Sequence, residues 1–159
     1  MLTLVLGGAR SGKSEVAERL AGEGPVTYLA TGSPTDEDMA ARIEAHRRRR
    51  PSEWSTCEPE QHELAPVLAE LSGTVLFDSL TTWLAAAADF AVDADALCTT
   101  LRKRDGDTVV VSDEVGLGVH PSSEAGNRFR DALGLLNQQV ATIADDVLLV
   151  VAGRTLRLS

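Results

Sequence analysis

A glycine-rich octapeptide near the start of the chain, GGARSGKS at Gly7–Ser14, restricts the fold more than any other feature. It follows an apolar run, Leu2–Leu6, that has the length of a buried strand. It leads into Lys13–Ala21, a segment with helical spacing of apolar residues. A strand that turns through glycines directly into a helix begins a β–α–β unit. The chain is therefore predicted to build a parallel sheet around this loop.

The octapeptide has the spacing G-x-x-x-x-G-K-S, which predicts phosphate binding when a strand precedes it and a helix follows it. Glycine backbones let successive N–H groups point inward, and the helix N-terminus adds positive potential. Lys13 is expected to reach the β- and γ-phosphates of a nucleotide, and the Ser14 hydroxyl to coordinate Mg²⁺. A chance glycine-rich turn is the alternative, and the flanking strand and helix argue against it. The predicted phosphate-binding residues are Gly7, Gly8, Ala9, Arg10, Ser11, Gly12, Lys13 and Ser14.

Short apolar runs alternate with helical segments along the whole chain. The runs are continuously apolar, as in strands that are covered on both faces of a parallel sheet. The alternation predicts a doubly wound α/β fold with a mostly parallel sheet flanked by helices. The predicted strands are Leu2–Leu6, Val26–Ala30, Thr74–Asp78, Thr108–Ser112 and Val147–Val151, with an edge strand after Gly153. The predicted helices are Lys13–Ala21, Asp36–Arg50, Glu60–Leu71, Leu80–Asp89, Asp93–Arg104 and Ser123–Ala144.

Composition narrows the class of protein. A length of 159 residues suggests one domain over residues 1–159, and 43% hydrophobic with 25% charged residues is typical of a soluble globular protein. The net charge of −9 argues against a general nucleic-acid binder. No secretory signal or membrane span is apparent, and Cys57 and Cys98 form no metal or disulfide pattern. A cytoplasmic location without membrane or nucleic-acid partners is expected.

Carboxylates follow two of the predicted strands. A phosphate-binding loop of this kind needs an acid at the end of a neighbouring strand to hold the metal, directly or through water. Asp78 closes one strand, and Asp113 with Glu114 follows another. Asp78 is the favoured nucleotide-side and metal-side acid, and Glu114 is a candidate base. Each could instead cap a helix or a turn.

A basic run follows a histidine at residues 46–50, the sequence HRRRR. Basic residues at the end of the predicted helix would complement its dipole, and this is the simple interpretation. A triphosphate carries about four negative charges, so a second cationic element beside Lys13 would also help to neutralise it. A neutral imidazole can attack phosphorus and form a phosphoramidate. His46 is therefore the candidate nucleophile, with Arg47–Arg50 stabilising phosphoryl charge.

Six blocks of the chain together resemble one family. The blocks are LGGARSGKSEVAE, YLATG, MAARIEAHRRRRPSEW, DSLTTWL, EVGLGVHP and RFRDALGLLNQQVATIADDVLLVVAG, in this order. They resemble the bifunctional adenosylcobinamide kinase/adenosylcobinamide-phosphate guanylyltransferases of cobalamin biosynthesis. The resemblance implies a P-loop NTPase (RecA-like) fold, a homotrimer, and Mg²⁺ with GTP, with ATP as an alternative donor for the kinase step.

The resemblance also implies a reaction and its residues. The enzyme would phosphorylate adenosylcobinamide, take GMP from GTP onto His46 with release of pyrophosphate, and pass GMP to the new phosphate. Adenosylcobinamide, its phosphate and the nucleotides would be its small-molecule partners. Besides the glycine loop, the implied nucleotide-site residues are Gly32, Ser33, Pro34, Arg47, Arg48, Arg49, Arg50, Glu58 and Asp78.

Two departures from the family pattern are visible. Asp113 stands where relatives commonly carry Asn, and the segment between Asp89 and Thr108 is short. Two other functions remain open on the sequence. Another P-loop small-molecule kinase or NTPase would transfer the γ-phosphate without a guanylyl-histidine. A binding module would use the arginines to contact RNA or an acidic partner.

Overall fold

A computed structural model describes residues 1–32 and 51–158 of the chain. Within these residues a seven-stranded sheet has the strand order β3-β2-β4-β5-β1-β6-β7. All neighbouring strands are parallel except β6 and β7, which are antiparallel. The strands are β1 (Leu2–Gly7), β2 (Val26–Ala30), β3 (Ser55–Cys57), β4 (Thr74–Asp78), β5 (Thr108–Asp113), β6 (Asp146–Val151) and β7 (Arg154–Arg157).

Five α-helices connect the strands in the described part of the chain. They are α1 (Lys13–Ala21), α2 (Leu64–Glu70), α3 (Leu80–Ala86), α4 (Ala94–Lys103) and α5 (Glu124–Ile143). The predicted helix Asp36–Arg50 lies entirely within residues 33–50, outside the described residues. The five predicted strands, the edge strand after Gly153 and the helices α1, α4 and α5 are confirmed, to within one or two residues at the ends.

Three details differ from the sequence prediction. β3 was not predicted, because Ser55–Cys57 is three residues long and its first two are polar. The predicted helix Glu60–Leu71 is a 3₁₀ turn, Gln61–Glu63, followed by α2, since Glu60 has an extended backbone. The predicted helix Leu80–Asp89 ends at Ala86, and a 3₁₀ turn follows in which Asp89 has a positive φ of 53°.

Apolar side chains on both faces of the sheet explain why its strands are continuously apolar. On one face Leu4 and Phe77 pack with residues of α2, α3, α4 and α5, including Leu133. On the other face Val5 and Val111 pack against α1. Leu4 and Val5 are adjacent and fully buried on opposite faces, as the two-residue period of a strand requires. The helices on both faces and the parallel strands make this a doubly wound α/β fold.

The strand order positions the glycine loop at the centre of one edge. β1 lies between β5 and β6, and β5 separates β1 from β4, as in the RecA-like arrangement. The carboxyl ends of β1, β5, β4 and β2 therefore meet at one edge, where open α/β sheets bind ligands. Among the described residues, no helix has the length and apolar character needed to cross a membrane.

Candidate nucleotide site at the carboxyl edge of the sheet

The glycine loop turns tightly between β1 and α1. Gly12 has a φ of 92°, a left-handed conformation that glycine adopts without strain, and α1 begins at the next residue. Gly7 leaves no space for a side chain, because a Cβ there would overlap Ser11 Oγ and lie 2.9 Å from the carbonyl oxygen of Val150. The two glycines therefore serve different purposes: Gly12 supplies the turn, and Gly7 permits close packing.

Hydrogen bonds form within the loop and between the loop and the residues that follow β6. The Ser11 N–H donates to the Gly8 carbonyl at 3.2 Å, and the Gly153 N–H donates to the Ser11 carbonyl at 2.7 Å. The buried Ser11 hydroxyl accepts from the Lys13 N–H at 3.3 Å. Gly153 follows β6, so the turn before β7 supports the loop from one side. Contacts within the protein thus define the shape of the loop.

Lys13 lies across the mouth of the loop. Its ammonium Nζ donates to the Gly8 carbonyl at 3.3 Å and forms an ion pair with Asp113 Oδ1 at 2.6 Å. The Lys13 side chain is 14% exposed and that of Asp113 is 27% exposed. The ammonium is thus at the edge of the sheet, where the predicted phosphate contacts require it.

Strand register explains why Asp113 meets Lys13. Asp113 ends β5 directly opposite Gly7 of β1. Its N–H donates to Thr81 Oγ1 at 2.8 Å, and its carbonyl accepts from Asn137 Nδ2 at 3.1 Å. Asn137 is buried and also accepts from the Ser112 hydroxyl at 2.6 Å. Side chains of α3 and α5 thus hold the end of β5 beside the loop.

Asp78 ends β4 at the same edge. The phenol of Tyr28 donates to Asp78 Oδ2 at 2.5 Å, which orients the carboxylate. Asp78 is opposite Val111, two residues before Asp113 in β5. Two strand spacings separate β4 from β1, so their backbones are about 10 Å apart. Asp78 remains the predicted metal-side acid. At this distance it would act on the metal of a bound nucleotide and would not contact Lys13.

A polar network joins the chain after β4 to the end of β2. Ser79 caps α3, with its hydroxyl accepting from the Thr82 N–H at 3.2 Å. The Thr31 hydroxyl donates to the Ser79 carbonyl at 2.8 Å and lies 2.9 Å from Thr82 Oγ1. Gly32, a predicted nucleotide residue, packs against Thr82, whose methyl group would be 3.5 Å from an added Cβ. The network fixes the position of two neighbouring strand ends.

Glu114, the candidate base, is turned toward its own loop. Its carboxylate accepts from the N–H groups of Gly116 at 2.5 Å and Leu117 at 3.1 Å. Its backbone N–H donates to the Gly7 carbonyl at 3.1 Å, so the residue is next to the glycine loop. These contacts stabilise the turn after β5, and a role as base stays a prediction.

The other predicted residues lie further away or outside the described part. Glu58 is exposed and directly follows β3, four strand spacings or about 19 Å from β1. Burial and, secondly, the charge of Glu58 raise the pKa of the neighbouring Cys57 thiol. The structure brings Glu58 to the same edge but not to the glycine loop. Ser33, Pro34, His46 and Arg47–Arg50 lie outside the described residues.

The oxygen donors near the loop suit a magnesium ion that is bound with a nucleotide. Ser14 lies in the first turn of α1, Asp78 ends β4, and Asp113 ends β5. Residues 1–32 and 51–158 contain no group of three His, Cys, Asp or Glu side chains that could hold a metal without help. Mg²⁺ commonly uses one or two carboxylates together with substrate phosphates and water. The donor set therefore fits a metal that arrives with its nucleotide.

Several supporting residues were not predicted from the sequence. Tyr28, Thr31, Thr81 and Asn137 contact the predicted residues or their backbone. A local signal exists for Asn137, a polar residue beside Leu133, Leu136 and Val140 in the apolar stripe of α5. No comparable signal marks the other three, since threonine and tyrosine are ordinary residues in strands and helix starts.

Comparison with known proteins gives one family. Residues 3–158 match the family model described as cobinamide kinase / cobinamide phosphate guanyltransferase. The chain is 37% identical to the bifunctional adenosylcobalamin biosynthesis protein CobU of Salmonella typhimurium, over 96% of this chain and 97% of that protein. It is 39% identical to CobU of Escherichia coli, with the same coverage. It is 42% identical to the bifunctional adenosylcobalamin biosynthesis protein CobP of Pseudomonas aeruginosa, over 96% and 94%.

Among solved structures, the P4 protein from bacteriophage phi6 in complex with ADP aligns with 98% of this chain and 53% of its own. The TM-score is 0.46 and the sequence identity 16%. That likeness is too distant to bear on the chemistry of the site.

Proposed function

The chain belongs to the cobinamide kinase / cobinamide phosphate guanyltransferase family, and we propose that it carries out both reactions of that name in adenosylcobalamin biosynthesis. It phosphorylates adenosylcobinamide with a nucleoside triphosphate. It then transfers GMP from GTP to the new phosphate, giving adenosylcobinamide-GDP and pyrophosphate. The match over residues 3–158 carries this proposal, because it includes the glycine loop and nearly the whole chain.

The kinase step is proposed to use the glycine loop. The loop N–H groups and the Lys13 ammonium bind the phosphates and stabilise the charge that develops on the transferred group. The substrate hydroxyl attacks the γ-phosphorus, and the bond between that phosphorus and the nucleoside diphosphate breaks. A base accepts the proton of the hydroxyl. Ser14 and Asp78 would hold Mg²⁺, which supplies charge neutralisation when bound with the nucleotide. ATP or GTP serves as donor in this proposal.

The guanylyl step is proposed to use His46. A nitrogen of its imidazole attacks the α-phosphorus of GTP, an N–P bond forms, and the bond to pyrophosphate breaks. The phosphate of adenosylcobinamide phosphate then attacks the same phosphorus and releases the histidine. Arg47–Arg50 would stabilise the phosphoryl and pyrophosphate charge. Ser33, Pro34, Gly32 and Glu58 are proposed to contact the remainder of the nucleotide.

Labelling with GTP that carries radioactive phosphorus at the α-position tests the covalent step. After denaturation, the wild-type protein should retain label that is stable in alkali and lost in acid, as expected for a phosphoramidate. His46→Ala should retain none, yet it should still phosphorylate adenosylcobinamide from a γ-labelled nucleotide.

The two other histidines provide matched controls. His62 and His120 are both exposed, so their alanine variants should fold and label as the wild type does. Normal labelling of His46→Ala would contradict the assignment of the nucleophile. Loss of kinase activity in the folded His46→Ala protein would contradict the separation of the two steps.

The proposed assembly is a homotrimer in the cytoplasm. Support for the trimer is the family resemblance. Sedimentation equilibrium should give three times the mass of the chain, and the mass of one chain at micromolar concentration would contradict the trimer.

A further inference from the structure

The ammonium of Lys13 already has an anionic partner at the position where a nucleotide would bring its phosphates. Asp113 Oδ1 lies 2.6 Å from Lys13 Nζ, and both side chains are largely shielded from water. A shielded ion pair is screened less by solvent and salt than an exposed one. The carboxylate is therefore a strong local charge beside the glycine loop.

Asp113 cannot leave this position through a simple movement of the backbone. Its N–H is bound by Thr81 Oγ1 and its carbonyl by Asn137 Nδ2, at 2.8 and 3.1 Å. The β-ladder pairs it with Gly7, the first residue of the glycine loop. Only rotation of the Asp113 side chain remains, so the carboxylate stays near any phosphate that Lys13 binds.

An ammonium has three N–H donors, and two of them are used here. One donates to the Gly8 carbonyl and one to Asp113. A phosphate oxygen that takes the third donor would have the carboxylate as a neighbour, and like charges at this separation repel strongly when water is excluded. A divalent cation between the carboxylate and the phosphates removes that repulsion, since it is the largest local charge in such a site.

We propose that Asp113 makes nucleotide binding at the glycine loop depend on a divalent cation. In the structure its carboxylate pairs with Lys13. When a magnesium nucleotide binds, the carboxylate turns from Lys13 to the metal or its bound water, and Lys13 becomes available to the phosphates. A metal-free nucleotide meets an uncompensated carboxylate. This inference rests on the proposed nucleotide site and adds a specificity-determining residue to it.

The test is equilibrium binding of GTP to the full chain, measured by calorimetry in excess MgCl₂ and again in excess EDTA. The dissociation constant in EDTA divided by that in MgCl₂ measures the metal dependence of binding, and it does not require turnover. Asp113→Asn removes the charge and keeps the shape, so its ratio should be at least about tenfold smaller than that of the wild type. In EDTA alone, Asp113→Asn should bind GTP more tightly than the wild type.

A matched control is Asp131→Asn. Asp131 lies in α5, is 67% exposed and pairs with the neighbouring Arg130 at 2.8 Å. The same chemical change at this site should leave the ratio at the wild-type value. A wild-type ratio for Asp113→Asn would overturn the proposal, and so would equal loss of affinity in both buffers, which would mean that Asp113 merely positions Lys13.

Folding of the variants is checked by circular dichroism, and Asp113→Ser provides a smaller neutral replacement. If neither variant folds, the proposal can still be tested by the effect of EDTA on the affinity of the wild type for GTP. Affinity of the wild type for GTP that EDTA does not change overturns the proposal, because the Asp113 carboxylate would then not oppose a metal-free nucleotide. Failure of the wild type to bind GTP or ATP in either buffer would instead contradict the proposed function.

Discussion

Each residue of the glycine loop makes a different physical contribution, although all belong to one motif. Lys13 provides charge, Gly12 provides a left-handed turn, and Gly7 provides room. Val150 O approaches Gly7 because β6 pairs with β1 at this position. A backbone oxygen cannot move aside as a flexible side chain can, so the requirement for glycine at position 7 comes from the sheet and not from the ligand.

This distinction predicts different effects for two adjacent glycines. Gly7→Ala should lower the free energy of unfolding by about 1–3 kcal/mol, because its methyl group overlaps Ser11 Oγ and crowds the carbonyl oxygen of Val150. Gly8→Ala should change stability by less than about 0.5 kcal/mol, since nothing lies within 4 Å of an added Cβ there. Urea denaturation of both variants checks this. Equal destabilisation would mean that the space at Gly7 does not determine its identity.

At the scale of elements, α5 has two functions. Its apolar stripe packs on the sheet, with Leu133 and Val140 fully buried. Its buried polar residue, Asn137, bonds to Ser112 and to the Asp113 backbone at the end of β5. A buried amide must satisfy its hydrogen bonds, so packing of the helix also sets where β5 ends. The helix thereby connects the core to the candidate site.

A comparison of two leucines in α5 tests the packing. Leu133→Ala should reduce the free energy of unfolding by about 2–5 kcal/mol, because it removes fully buried methyl groups and leaves a cavity. Leu135 is 63% exposed, so Leu135→Ala should cost no more than about 0.5 kcal/mol. Thermal and chemical denaturation both report the difference. A large loss at Leu135 would instead indicate that another surface covers this side of the helix.

At the scale of the whole molecule, the strand order predicts that local stability decreases from the centre of the sheet to the β7 edge. β1 is paired on both sides, and its Leu4 and Val5 are fully buried. β7 is paired on one side and all four of its residues are exposed. The glycine loop therefore extends from the most enclosed strand, which gives the site a rigid base.

Hydrogen exchange should follow this order. Amides of Leu4 and Val5 should exchange only through global unfolding, whereas the amides of β7 should exchange through local opening and at least about a hundredfold faster. Exchange measured by NMR at several denaturant concentrations separates the two routes. Protection in β7 equal to that in β1 would mean that this edge is covered in solution.

The candidate site was predictable where its signal is local. The glycine loop, its strand and its helix are contiguous, and the spacing of Gly7, Gly12, Lys13 and Ser14 reflects the geometry of one turn. The apolar strand runs likewise indicated burial on both faces, since burial leaves a mark on every residue of a strand. Composition and periodicity were sufficient for the α/β class for the same reason.

Contacts between distant parts of the chain were decided by tertiary structure. The sequence offered both Asp78 and Asp113 as acids at strand ends, and strand order and register place Asp113 against Lys13. Asp78 meets Tyr28, 50 residues away, for the same reason. Residue types at strand ends indicate which acids are available. Only the pairing of strands, a property of the assembled sheet that local patterns do not record, determines which acid lies beside the lysine.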